Sequence, residues 1–115
     1  MTDLDPDTLD AEDAKLVTLA RSVRARNGAA EGAAVRDLDG RTYNASTVAL
    51  PSLKLSALQA AIAAAVSSGA EGIEAAAVVT GESAVDAASL AAVRDLSPSA
   101  PVLLADASGE FRKRV

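Results

Sequence analysis

The stretch GIEAAAVVTGESAVDAASLAAVRDLSPSAPVLLAD, residues 72–106, decides the fold. It contains two continuous apolar runs, at 72–80 and 101–106, which are typical of buried central strands. Between them, residues 86–96 predict a short helix that ends before Pro98. A strand, a crossover helix and a second strand in one sheet run parallel. The segment therefore predicts a sheet with parallel strands at its centre.

The rest of the chain supplies the other elements of this sheet and its helices. We predict a helix from Asp10 to about Asn27, strands at 29–37 and 42–49, a helix at 53–69 and a short edge strand at 109–115. This order predicts an α/β fold, a three-layer α/β/α sandwich with a mixed five-stranded sheet. Residues 1–9 are acidic and lack an apolar period, so we expect a flexible tail there and a single domain over 10–115.

The composition excludes several kinds of chemistry. The 115 residues include no cysteine and no histidine. Disulfides, cysteine nucleophiles, histidine bases and ordinary zinc sites all need these residues. The net charge of −5, with scattered basic residues, argues against nucleic-acid binding. No apolar run reaches the roughly 18 residues of a membrane span, and the acidic start is unlike a signal peptide, so we expect a cytoplasmic protein.

Three strings resemble the cytidine deaminase family. GAAVRDLDGRTY at 32–43 is similar to that family's first hairpin, and SALQAAIAAAV at 56–66 is similar to its zinc-binding helix. SPSAPVLLADASGE at 97–110 resembles the strand and turn after its second zinc motif. Their order and spacing together cover about residues 10–112. The resemblance implies a cytidine deaminase-like fold and, taken alone, a zinc-dependent deaminase that acts on cytidine.

The same resemblance assigns the family's zinc site to positions that carry other residues here. The first metal ligand falls on Ser56, the proton-shuttling Glu on Leu58, and the Cys-x-x-Cys pair on Asp86 and Ser89. Leucine cannot exchange a proton, and two hydroxyls with one carboxylate form a poor zinc site. We therefore expect no catalytic residue, no metal and no cofactor. Without a metal, water has a pKa of about 15.7 and hydroxide is scarce, so we expect no deamination.

The family's substrate contacts fall on three further positions. The residues that hold the ribose correspond to Thr47 and Ala49, and the aromatic residue beside the base corresponds to Ala29. We call Ser56, Asp86 and Ser89 the relic ligand positions. Helix capping gives an alternative explanation for the residues found there. Ser56 starts an S-x-x-Q capping box with Gln59, and Asp86 is a favoured N-cap residue.

Three hypotheses for function follow. The preferred one is a non-catalytic cytidine deaminase-like protein, a pseudoenzyme, with a structural, regulatory or partner-binding role. The alternative is a nucleoside- or anion-binding module that uses the relic pocket, our term for the space at the two helix starts where the family holds its metal. The opposing expectation is that Leu55, Leu58 and Ala61 fill that pocket. The third is an enzyme that uses Asp86 with a hard metal, although no further carboxylates stand at a helpful spacing.

Self-association is expected on two grounds. The resemblance implies dimers or tetramers, and the helix predicted at 53–69 is apolar on nearly every side, which predicts burial on more than one face. We therefore expect a homodimer or homotetramer. For the acidic tail, a docking segment for a basic protein partner is the alternative to a solubilising terminus.

Overall fold

The computed structural model describes residues 9–115. A five-stranded sheet has the order β2-β1-β5-β6-β7, and a two-stranded hairpin, β3-β4, lies apart from it. The helices are α1 (Ala11–Asn27), α2 (Ala57–Ser67) and α3 (Ala87–Leu96). The strands are β1 (Glu31–Asp37), β2 (Thr42–Ser46), β3 (Val48–Leu50), β4 (Leu53–Leu55), β5 (Ile73–Thr80), β6 (Val102–Ala105) and β7 (Phe111–Arg114).

The centre of the sheet follows the prediction from residues 72–106. β5 and β6 are parallel neighbours, joined through α3, with Ala76 opposite Val102. The other pairs, β1 with β2, β1 with β5 and β6 with β7, are antiparallel. The sheet is therefore mixed and five-stranded, as expected.

Two apolar clusters, one on each face of the sheet, define three layers. On one face, α1 contributes Leu16, Val17 and Ala20 to a cluster with Leu103 of β6. On the other, α2 and α3 pack over side chains of the same strands in a second cluster. Alternate residues of one strand serve opposite faces. The α/β/α sandwich is confirmed.

Helix α1 lies very close to β1, at Gly32. A Cβ built on Gly32 would stand 2.0 Å from the carbonyl oxygen of Ala20 and 2.8 Å from the Cβ of Arg24. No side chain larger than hydrogen fits there without moving the helix. The helix itself starts on an Asp10 N-cap, whose side chain accepts the N–H of Asp13 at 2.8 Å, and it ends at Gly28 with φ 59°.

Several predicted boundaries are wrong. The edge strand predicted at 109–115 spans only Phe111–Arg114, because Gly109 belongs to the turn in which its N–H donates to the Asp106 carbonyl. β1 begins at Glu31 and not at residue 29, because residues 28–30 complete the C-terminal turn of α1, where Ala29 N–H donates to the Arg24 carbonyl. The strand predicted at 42–49 breaks at Thr47. The helix predicted at 53–69 begins only at Ala57, because residues 53–55 pair with β3 as a hairpin across Pro51-Ser52.

The sequence predicts that helix α2 is buried on more than one face, but within this chain it is buried on one side only. Ala57, Leu58, Ala61, Ile62 and Ala65 are buried. The opposite side, with Ala63, Val66 and Ser67, is exposed although it is largely apolar. Apolar composition all round a helix thus does not by itself show which faces are covered.

Of the tail predicted at 1–9, only Leu9 lies within the described residues, and it packs against the α1-side cluster. The prediction for residues 1–8 falls outside the part of the chain that the structure describes. Over residues 9–115, no helix combines the length and the apolar character needed to cross a membrane.

Candidate functional site

The three relic ligand positions meet where two helices begin. Ser56 is the N-cap of α2, and its hydroxyl accepts the N–H of Gln59 at 3.1 Å. The Gln59 side chain returns to the Ser56 N–H at 3.0 Å, which completes the predicted capping box. Asp86 is the N-cap of α3 and accepts the N–H of Ser89 at 3.1 Å. Both helix starts therefore have the caps that their sequences predict.

The same side chains also bond across the two helices. Ser89 Oγ lies 2.6 Å from Ser56 Oγ and 2.5 Å from Asp86 Oδ1. Each hydroxyl has one proton, and an ionised carboxylate only accepts. The Ser89 proton therefore goes to Asp86, and the Ser56 proton goes to Ser89 Oγ. We name this sequence of contacts, from Ser56 through Ser89 to Asp86, the serine bridge.

The serine bridge fixes the charge of Asp86. The hydrogen bond from the Ser89 hydroxyl is the largest influence, and it lowers the pKa of the Asp86 carboxyl below 3.8 against the opposing effect of burial. Backbone N–H groups at the start of α3 act in the same direction. Asp86 is thus an anion at neutral pH and a weak base, which argues against activation of Ser89 or Ser56 as a nucleophile.

Leu58, to which the resemblance assigns the family's proton-shuttling Glu, is completely buried. It belongs to the cluster beneath α2 and α3, together with Ala61, which is also fully buried. Leu55 is half-buried. The side chains of Leu58 and Ala61 therefore lie in the core, on the helix that starts at Ser56.

The residues at this site do not fit the zinc ion that the resemblance implies. The donors are two hydroxyls and one carboxylate, and each of the three already takes part in the serine bridge. Zinc prefers thiolate and imidazole ligands. Within residues 9–115, no group of three or more acidic side chains is placed to hold a metal ion instead. We therefore derive no reaction step through a metal here.

The predicted substrate positions are not gathered at one place. Thr47 is half-buried, and its hydroxyl accepts the Glu31 N–H at 3.0 Å. Thr47 lines a groove of about 280 Å³ together with Arg24, Ala30, Glu31, Thr80, Gly81 and Glu82. Ala49 is exposed on β3, opposite Lys54, and does not line the groove. Ala29 is half-buried beside the groove-lining Ala30 and presents only a methyl group.

The sequence analysis missed a second cavity, at the carboxyl ends of the parallel strands. This cavity, of about 370 Å³, is lined by Thr80, Gly81, Glu82, Ser83, Leu104, Asp106 and Arg112. A signal was available, because ligand sites in open α/β sheets lie beyond the carboxyl ends of strands. Thr80 ends β5 and Asp106 follows β6 at this edge.

Asp106 organises the turn before β7. Its carboxylate accepts the Ser108 hydroxyl at 2.6 Å, the Glu110 N–H at 3.0 Å and an Arg112 N–H at 2.6 Å. These hydrogen bonds, that of Ser108 first, lower the pKa of Asp106 to about 2. The carboxylate is therefore fully engaged in the turn predicted at Asp106–Gly109.

The fold is an α/β/α sandwich in which the capped starts of α2 and α3 meet at the serine bridge. The family described as "Cytidine deaminase-like" matches residues 9–109. The chain belongs to this family. The comparison with curated protein sequences finds no match.

Solved structures of cytidine deaminases share the fold. The chain is similar to cytidine deaminase from Burkholderia pseudomallei, with a TM-score of 0.77, 24% identity, and coverage of 88% of this chain and 89% of that one. For the Mycobacterium tuberculosis enzyme the TM-score is 0.69, at 24% identity over 90% and 91%. For the Mycobacterium leprae enzyme it is 0.69, at 20% identity over 90% and 93%. At these identities the likeness concerns the fold.

Proposed function

We propose that this chain is a non-catalytic member of the cytidine deaminase-like family, with a structural, regulatory or partner-binding role. One observation carries the proposal. The positions assigned to metal ligands hold hydroxyls and a carboxylate that bond to each other, and the position of the proton-shuttling Glu holds the fully buried Leu58. Neither group can generate or guide a hydroxide at neutral pH.

The test measures deamination and metal content together. Purified protein, expressed with zinc in the medium, is assayed for conversion of cytidine to uridine, beside a zinc-loaded cytidine deaminase as the positive control. Zinc per chain is measured by elemental analysis. We expect no conversion above the protein-free rate and much less than one zinc per chain. Equimolar zinc or measurable uridine would overturn the proposal.

A second candidate is a module that binds a nucleoside without reaction. The sequence analysis expects such a ligand in the relic pocket, whereas the groove beside the predicted substrate position Thr47 contains none of the relic ligand positions. The groove beside Thr47 supports it, because Arg24, Glu31 and Thr80 provide both donors and acceptors there. An anion at the helix starts is less well supported. The N–H groups of Gln59 and Ser89 are already taken by the caps, and Asp86 is negatively charged.

Thermal unfolding with added ligand separates the two candidates. A bound nucleoside at 100 times its Kd stabilises the folded state by about 2.7 kcal/mol. For the nucleoside module we expect a rise in Tm with cytidine or uridine at millimolar concentration, and a loss of that rise in Thr47→Val. No shift with any nucleoside removes this candidate and leaves the first intact.

We also propose that the chain forms a homodimer or homotetramer. The exposed apolar side of α2 supports this, with Val66 half exposed, as do Leu50 and Leu53 at the tip of the β3-β4 hairpin. Sedimentation velocity at micromolar concentration tests it. Val66→Glu should lower the mass of the oligomer, whereas Ser22→Glu on exposed α1 surface should not. A stable wild-type monomer would contradict the proposal.

We further propose that the protein is cytoplasmic. The cysteine-free composition is compatible with a reducing compartment. Cell fractionation followed by immunodetection tests this, and recovery in the membrane or extracellular fraction would contradict it.

A further inference from the structure

The serine bridge joins segments that are far apart in sequence. Ser56 and Ser89 are 33 residues apart, and each stands in the first turn of its helix or at its cap. Ser89 is 2% exposed, so its hydroxyl has little access to water. Each proton has an acceptor, and within the described residues no buried side-chain polar atom lacks a partner.

We infer that the serine bridge is a structural cross-link that holds the starts of α2 and α3 together, in the place where a deaminase would use its metal. The resemblance assigns metal ligands to these three side chains, and in the bridge they bond to each other. The bridge thus provides the connection without a metal. This inference builds on the proposed metal-free state, but its main test measures neither zinc nor deamination.

The Ser89 end of the cross-link is shielded from water, since Ser89 is buried, whereas Ser56 is half-buried and Asp86 is exposed. Removal of one partner of a buried hydrogen bond leaves the other without compensation, and that loss exceeds the net gain of an exposed bond. The Ser89 hydroxyl is charge-assisted, because it donates to the Asp86 carboxylate. Ser56 stands two residues before Leu58, so the bridge anchors the start of the helix that covers the core.

A double-mutant cycle tests the cross-link. Ser56→Ala, Ser89→Ala and the double variant are unfolded with urea in the presence of a chelator. We expect each single substitution to lower the folding equilibrium constant about tenfold or more. We expect the double variant to fall short of the product of the single effects by at least about fivefold, because the second substitution has no bridge left to break. The loss of the α2 cap by Ser56→Ala cancels in this coupling.

Two control variants isolate the bridge. Ser83→Ala removes an exposed serine hydroxyl and should change the equilibrium constant by less than about twofold. Asp10→Ala removes an N-cap that has no partner across helices, so its effect should add independently to that of Ser89→Ala. Multiplicative effects of Ser56→Ala and Ser89→Ala would overturn the cross-link, even if the protein proved to be metal-free and inactive.

A second measurement tests the location. The chain has no cysteine, so Ser56→Cys, Asp86→Cys and Ser89→Cys together introduce three thiols and no others. If the helix starts stand at ligand spacing, this triple variant binds zinc at one equivalent, whereas Ser83→Cys does not. A folded triple variant that binds no zinc would overturn the claim that the bridge occupies a metal's place. If it fails to fold, the double-mutant cycle still decides whether the serine bridge is a cross-link.

Discussion

Replacing Leu58 with glutamate introduces the side chain that the resemblance assigns to proton transfer at this position, but places it in the core. Leu58 is completely buried. The substitution forfeits about 2–3 kcal/mol of apolar burial. Placing a neutral carboxylic acid among apolar neighbours costs about 1–3 kcal/mol more. At low pH we therefore expect a destabilisation of about 3–6 kcal/mol.

At higher pH the loss of stability grows, and the direction of this change follows from the pKa of the introduced carboxyl. An apolar site raises the pKa of a carboxyl above its unfolded value of about 4.3, so the folded state holds the proton more tightly. Each pH unit between the unfolded and the folded pKa then removes about 1.4 kcal/mol of stability. Because domains of this size have roughly 5–15 kcal/mol in total, Leu58→Glu is expected to be mostly unfolded near neutral pH.

The assay is urea unfolding followed by circular dichroism at several pH values from acid to neutral. Leu58→Gln is the matched control, because glutamine has nearly the same shape as glutamate and cannot ionise. Leu58→Met should lower the stability by less than about 1.5 kcal/mol. Equal stability of Leu58→Glu and Leu58→Gln at every pH would refute the reasoning. That result would mean that Leu58 borders water and that the relic pocket is open.

Three further predictions concern other parts of the fold. In urea unfolding, Gly32→Ala should destabilise the protein by about 1–3 kcal/mol, because the added Cβ overpacks against α1. Gly81→Ala is the control and should have almost no effect, because nothing lies within 4 Å of the added Cβ. Equal losses of stability in the two variants would contradict the close packing. Since the pKa of Asp106 is about 2 instead of 3.8, its stabilising contribution should be present above pH 3.8 and disappear as the pH falls to about 2; Asp106→Asn should flatten acid unfolding in this interval, and an unchanged acid curve would argue against it. The single Tyr43 donates to Asp37 at 2.9 Å, which raises the pKa of the phenol above 10.0; ultraviolet titration should show this, and Asp37→Asn should bring the pKa back down, so an unshifted titration would exclude the bond in solution.

Much of the fold could be predicted because local patterns and the structure agree. The apolar runs in residues 72–106 define β5 and β6, and the crossover rule makes them parallel. The caps at Asp10, Ser56 and Asp86 could be predicted residue by residue, because an N-cap depends on the next three residues. The family could be predicted from the order of three strings, and the family match confirms it.

The wrong boundaries depend on turns and strand pairings that an apolar pattern does not show. Residues 28–30 complete the C-terminal turn of α1. Residues 53–55 have the composition of the helix that follows, and only pairing with β3 makes them a strand. The candidate site, in contrast, depends on contacts between distant segments. The sequence identified Ser56, Asp86 and Ser89 separately, but the bond between Ser56 and Ser89 depends on the packing of α2 against α3. The groove beside Thr47 likewise depends on Thr80 and Glu82, which arrive from another strand end.

The close approach of α1 to β1 has a consequence for how this sequence can change. The strand residues beneath α1 include Gly32, Ala34, Ala75 and Ala77 together with Val79 and Leu103, whereas Ala33, Val35, Ala76, Val78 and Leu104 face α2 and α3. Both faces thus mix small and large side chains, and the position that sets α1 close to the sheet is Gly32. A larger side chain at Gly32 forces α1 outward, whereas volume at the other positions can be exchanged among neighbours. Variation accumulated over time, or introduced by saturation mutagenesis, should therefore be sparse at Gly32 and freer at the alanines around it.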